Sequence, residues 1–121
     1  MNSIFPASIT GLPQADIPLE GVTAYLSQAN SHQILFMEFT QDVDLPEHAH
    51  AAQTGFVLEG RIDLIIDGTA HSFVKGDRYH IPAGTRHSGR IHAGYADITF
   101  FNEAARYAAR QPEDLRSTDR P

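Results

Sequence analysis

Short runs of β-branched and aromatic residues, each closed by turn-forming residues, recur from Val22 to Phe101 and settle the fold class before any motif is weighed. Residues 22–26 read as a strand that Gln28-Ala29-Asn30-Ser31 breaks. Residues 33–40 form a longer strand, nearly continuous in apolar side chains (Ile34, Leu35, Phe36, Met37, Phe39), which implies burial on both faces at a sandwich centre or a subunit interface. Residues 56–60 lead into 61–66, where Ile62, Leu64 and Ile66 alternate, and Asp67-Gly68 is a two-residue hairpin signal that returns the chain along 69–74. A turn at Gly76-Asp77, a short strand over 78–81, a tight turn at Pro82-Ala83-Gly84-Thr85 and a closing strand over 95–101 complete the series. Such a succession predicts an all-β sandwich or barrel.

The ends have a different character. Pro6, Gly11, Pro13 and Pro18 make residues 1–20 an irregular arm with at most edge-strand pieces. Past Phe101, the alanine content of residues 103–110 predicts a short helix, and the polar residues 111–121 are expected to be loose. At 121 residues the chain suits one domain with one core: an arm over 1–20, a body over about 33–101 and a tail over 102–121.

Composition excludes several functions. A net charge of -6 with only 9 Lys and Arg opposes nucleic-acid binding, which needs clustered cations against phosphates. Without cysteine there is no disulfide framework, thiolate cluster or cysteine nucleophile, so nitrogen and oxygen ligands remain. The N-terminus lacks a basic flank and a long apolar segment, and the run Ile34-Leu35-Phe36-Met37 is far short of the ~20 residues a membrane span requires. A cytoplasmic protein with a small-molecule ligand is the expectation.

The chemistry concentrates in two stretches. Glu47-His48-Ala49-His50-Ala51-Ala52-Gln53 and Pro82-Ala83-Gly84-Thr85-Arg86-His87 bring three imidazoles and one amide together, and that combination reads as a metal site. Residues two apart on a strand share a face, so a strand would let His48 and His50 reach one ion; a helix would need spacings of three or four. The plainer alternatives are a solvated histidine pair and, for Gln53, a wall residue bonded to backbone. His32, His71 and His92 lie in or beside turns and read as exposed, and alternation puts His80 at the surface.

These stretches resemble the two motifs of the cupin superfamily, small β-barrels of jelly-roll topology. The first family motif is G, five residues, H-x-H, three or four residues, E, six residues, G. His48, His50 and Gly60 fit it, Gln53 takes the Glu place after a shortened gap, and the leading Gly is missing. Gly76, Pro82, Gly84 and His87 match the second motif in register, with Ile91 where an Asn is usual. The resemblance implies a double-stranded β-helix (jelly-roll) cupin barrel and a ligand set of His48, His50, Gln53 and His87 around one divalent transition metal: nickel, manganese, iron, cobalt or zinc. It also implies a homodimer.

A neutral amide in the Glu place leaves the cation's charge uncancelled and removes a ligand carboxylate that could accept a proton, which points away from dioxygenases that rely on it. Gln in this place is similar to small cupins that open ring forms of unsaturated uronates; their acid would fall near Thr99, with Asp97 two residues earlier. The implied function is a Lewis-acid isomerase or lyase acting on a polar, sugar-like substrate. An oxygen-activating dioxygenase and a non-catalytic metal- or ligand-binding cupin are the alternatives.

In this fold the closing strand borders the pocket, which makes Tyr95 and Phe101 candidate pocket residues. Phe36, Phe56 and Phe73 read as packing. Asp97 shares a strand face with Tyr95, Thr99 and Phe101. Turned inward it is the candidate general acid or base; turned outward it is an ordinary surface charge. Arg86 and Arg90 are candidates to receive an anionic substrate.

Overall fold

The computed structural model describes residues 3–111. It contains one short helix, α1 (Ala7–Thr10), and nine strands: β1 (Val22–Gln28), β2 (Gln33–Phe39), β3 (Val43–His48), β4 (Gln53–Glu59), β5 (Arg61–Ile66), β6 (Thr69–Val74), β7 (Arg78–Ile81), β8 (His87–Ile91) and β9 (Ala96–Phe101). They form two antiparallel sheets, ordered β1-β2-β9-β4-β7 and β3-β8-β5-β6. The expected all-β jelly roll is what the chain forms.

Local chemistry explains the main turns. Asp67 and Gly68 both take positive φ, 48° and 80°, as a two-residue hairpin with right-handed strand twist requires, and this sets Ile66 opposite Thr69. With that register Ile62 and Leu64 point inward and Ile65 is left at the surface. The inner faces meet in a core of Phe39, Val57, Tyr79 and Ile81 from the larger sheet and Ile62, Leu64 and Ile91 from the smaller. A second cluster, Ala15, Ala24, Leu26, Leu35 and Phe101, joins the N-terminal arm to β1, β2 and β9.

Four expectations need correction. The alanine-rich segment after Phe101 is not a helix: Ala15 and Ala109 form a β-bridge, and backbone bonds run from Asp16 to Ala108 and from Arg110 to Gln14. Tertiary hydrogen bonds override a modest intrinsic preference. The arm, read as irregular, holds the helix α1, whose turn closes on the Pro6 carbonyl. Phe56 is 43% exposed, on the outward face of β4 in register with Ile98 and Phe36, so it is not interior packing. His50 lies in the connection between β3 and β4, not on a strand. The tail expected to be loose lies, from residue 112 onward, outside the described residues.

One glycine shows how closely the site's wall is packed. Gly55 pairs with Tyr79 across β4 and β7, and the Tyr79 ring occupies the place a Cβ at Gly55 would take. The neighbour is a buried ring, so it has little freedom to yield. Gly55→Ala is therefore expected to destabilise the fold by about 1–3 kcal/mol through overpacking. Urea denaturation checks this, and unchanged stability would show that the ring relaxes freely.

Candidate metal centre

Two strand ends and one connection assemble the histidine cluster. His48 closes β3 and His87 opens β8, and the two are partners in the same ladder, beyond an irregularity that begins at Leu45. His50 is brought to them by the connection, where its carbonyl accepts a hydrogen bond from the Gly84 amide at 2.8 Å. The Pro82–Thr85 turn thus supports His50 as well as delivering His87. Gly84 takes φ 75° there, a conformation glycine adopts without strain.

The rings converge. Centroid separations are 4.2 Å for His48 and His87, 4.9 Å for His50 and His87, and 5.1 Å for His48 and His50. One ring nitrogen from each lies within 4.8 Å of the others. Each Nδ1 faces a backbone carbonyl: His48 to Pro46 at 2.7 Å, His50 to Ala51 at 2.7 Å and His87 to Thr85 at 2.9 Å. A carbonyl can only accept, so Nδ1 carries the proton, and the neutral ring keeps its lone pair on Nε2. Burial is the main cause lowering the pKa values of His50 and His87, which favours that neutral form. Three imidazoles oriented in this way fit a divalent transition metal.

Gln53, the first residue of β4, lines the same cavity. Its Nε2 donates to the Tyr79 hydroxyl at 3.3 Å, which leaves Oε1 as the atom a cation would take. The cavity is about 580 Å³, and aliphatic side chains such as Met37, Ile62, Leu64 and Ile91 make up much of its lining.

Asp97 is turned inward and lines this cavity at 2% exposure. The Tyr95 hydroxyl donates to its Oδ2 at 2.5 Å, while Oδ1 and the neighbouring Thr99 Oγ1 are buried with no hydrogen-bond partner among the described residues. Burial pushes the Asp97 carboxyl up to about 7, against the opposing pull of the Tyr95 hydroxyl. Burial likewise raises the Tyr79 and Tyr95 hydroxyls, with the nearby Asp97 charge adding to the effect.

The other sequence candidates separate. Phe101 lines the cavity, its ring 5.6 Å from that of His50. Tyr95, 1% exposed, stands behind Asp97 and is absent from the lining. Arg90 is outside the cavity, paired with Asp44 at 2.8 Å and Asp42 at 3.0 Å, and Arg86 pairs with Glu47 at 3.1 Å. Ile17 and Leu19 from the arm, and Glu103, Arg106 and Tyr107 from the C-terminal segment, also line the cavity. No motif or period pointed to them, because they lie in segments whose course depends on contacts distant in sequence.

Comparison with known proteins agrees with this fold. A family model described as "Cupin domain" matches residues 35–99. No curated protein matches the chain. Among solved structures, an RmlC-like cupin from Shewanella frigidimarina superposes with a TM-score of 0.68 at 20% identity, covering 87% of this chain and 94% of the other. KdgF from Halomonas sp. gives 0.66 at 17% identity, covering 95% and 100%. A variant of oxalate decarboxylase from B. subtilis gives 0.66 at 13% identity, with 92% of this chain aligned to 35% of that one. At these identities the likenesses speak to the fold.

Proposed function

The chain belongs to the cupin family, and on that premise we propose that it holds one divalent transition metal through His48, His50 and His87, with Gln53 Oε1 as a fourth ligand. We further propose that it acts on a small, polar, sugar-like molecule as an isomerase or lyase. The observation that carries this reading is the convergence of three imidazoles whose Nδ1 atoms are all anchored to backbone carbonyls. A bound nickel, manganese, iron, cobalt or zinc ion would supply Lewis-acid polarisation of a carbonyl or hydroxyl oxygen.

The chain's own groups supply the rest. None of the four proposed ligand side chains carries a negative charge, so they leave the ion's charge undiminished. Burial raises the Asp97 carboxyl to about 7, where it can give or take a proton near neutral pH, and Tyr95 occupies its Oδ2, so Oδ1 is the atom that would do so within the cavity. Aliphatic side chains surround these few polar groups in the cavity. A carboxyl poised in this way favours catalysis over a purely structural metal.

The test is a turnover screen on a panel of aldoses, ketoses, uronates and enols, followed by proton NMR. Metal-stripped protein is expected to be inactive and to recover on adding back one equivalent of a divalent ion. Stabilisation by metal with no turnover on any member of the panel would favour a non-catalytic cupin.

A further inference from the structure

Tyr79, Gly55 and Thr99 form one row across the larger sheet, because Gly55 pairs with Tyr79 on β7 and with Thr99 on β9. Glycine leaves the middle of that row without a side chain, and the Tyr79 ring and hydroxyl fill the space a Cβ there would need. Phe73 packs against the same ring, with centroids 5.4 Å apart. A buried phenol laid over a bare strand and pressed by a second ring has little room to swing, so its hydroxyl has a fixed place in the cavity wall. Gln53 stands two residues before Gly55 and so shares its face of β4. Its Nε2 is the atom that reaches the hydroxyl, at 3.3 Å.

The two ends of a glutamine amide are alike in size and opposite in role, since Nε2 only donates and Oε1 only accepts. A cation can take Oε1 alone. A phenol could hold either end, and where its own proton goes decides which. The Tyr95 hydroxyl, in hydrogen-bonding contact with that of Tyr79, gives its proton to Asp97 Oδ2. It has only lone pairs left to offer, so Tyr79 donates to it and keeps only lone pairs for Gln53. The Thr99 hydroxyl, also beside Tyr79, is a second acceptor with the same consequence. Hydrogen bonds therefore run one way, from Gln53 through Tyr79 and Tyr95 to Asp97. The carboxylate oxygen at the end of this buried chain fixes its direction.

We propose that Tyr79 is a positioning residue of the metal centre: its hydroxyl takes Gln53 Nε2 and so turns Oε1 toward the three histidines. The proposal rests on the metal reading given above. It goes beyond that reading by giving a buried tyrosine the task of orienting the amide ligand, and by joining that ligand to Asp97 through two phenols.

The test uses Tyr79→Phe, which keeps the ring and removes only the hydroxyl, alone and combined with Gln53→Ala. Zinc affinity is read by competition with a chelator, and hydrogen exchange of the Gln53 side-chain amide by NMR in metal-free protein. Tyr79→Phe is expected to weaken zinc binding about tenfold, as loss of a partner that orients a ligand commonly does, and to speed the amide exchange. In the Gln53→Ala background the same substitution is expected to leave zinc affinity where it is, because a residue that acts through Gln53 then has nothing to position. Equal losses in the two backgrounds would show a general structural role. Unchanged exchange in Tyr79→Phe, or unchanged affinity where Gln53→Ala weakens binding, would show that something else holds the amide. Each of these results would overturn the proposal. If wild type binds no zinc, or Gln53→Ala binds it undiminished, the reading of the metal ligands fails instead, and the exchange measurement still decides whether Tyr79 holds the amide.

Discussion

His87→Ala is expected to lose metal binding by at least about a hundredfold. Structural zinc sites gain about 10–16 kcal/mol over four ligands, so one imidazole accounts for roughly 3 kcal/mol or more, and each 1.4 kcal/mol is about tenfold in affinity. His87 is the central ring of the cluster, nearest to His48 and also adjacent to His50. Because it is buried, its removal also opens a small void, so His48→Ala, at a half-exposed position, is the companion variant. Both are expected to fold, by circular dichroism, and to fail to retain metal in competition with a weak chelator. Retention of one tightly held ion by both variants would place the metal elsewhere.

Asp97→Asn is expected to reduce turnover by about 10²–10⁴-fold, the usual contribution of a positioned acid or base, while leaving metal content unchanged. The same carboxyl carries a stability signature in metal-free protein. Folding raises its pKa from 3.8 to about 7, so the native state binds this proton more tightly than the unfolded chain does. Its stabilising contribution is fully present below the unfolded value and is lost as pH rises through about 7. Across that window the loss is roughly 4 kcal/mol at about 1.36 kcal/mol per unit. His50 and His87, whose pKa values are lowered on folding, act with the opposite sign. The difference between wild type and Asp97→Asn therefore isolates the carboxyl. Urea midpoints from pH 5 to 8 check this, with the wild type weakening relative to the variant as pH rises. Parallel curves would show that Asp97 does not hold its proton in the folded state.

Much of this site was legible because local rules and tertiary structure agree. Asp67-Gly68 specified a hairpin and its register, and the Pro82–Thr85 turn delivers His87 as its residues imply. Alternation correctly grouped Asp97 with Thr99 and Phe101. A period of two cannot say which face turns inward, and only the packing of the two sheets around the cavity, which Asp97, Thr99 and Phe101 line, resolved that. The rings of His48 and His50 do lie together, but not by the strand argument's route, since the ladder ends at His48 and a connection presents His50. Arg106 stayed hidden because alanine content suggested a helix, whereas the course of that segment depends on a glutamine more than seventy residues earlier.

The most direct measurement is the anomalous difference map of a crystal soaked with zinc. We expect one peak per chain, about 2.0–2.1 Å from the Nε2 atoms of His48, His50 and His87. A map without density at that point, or with its only ordered peak on other side chains, would contradict the account.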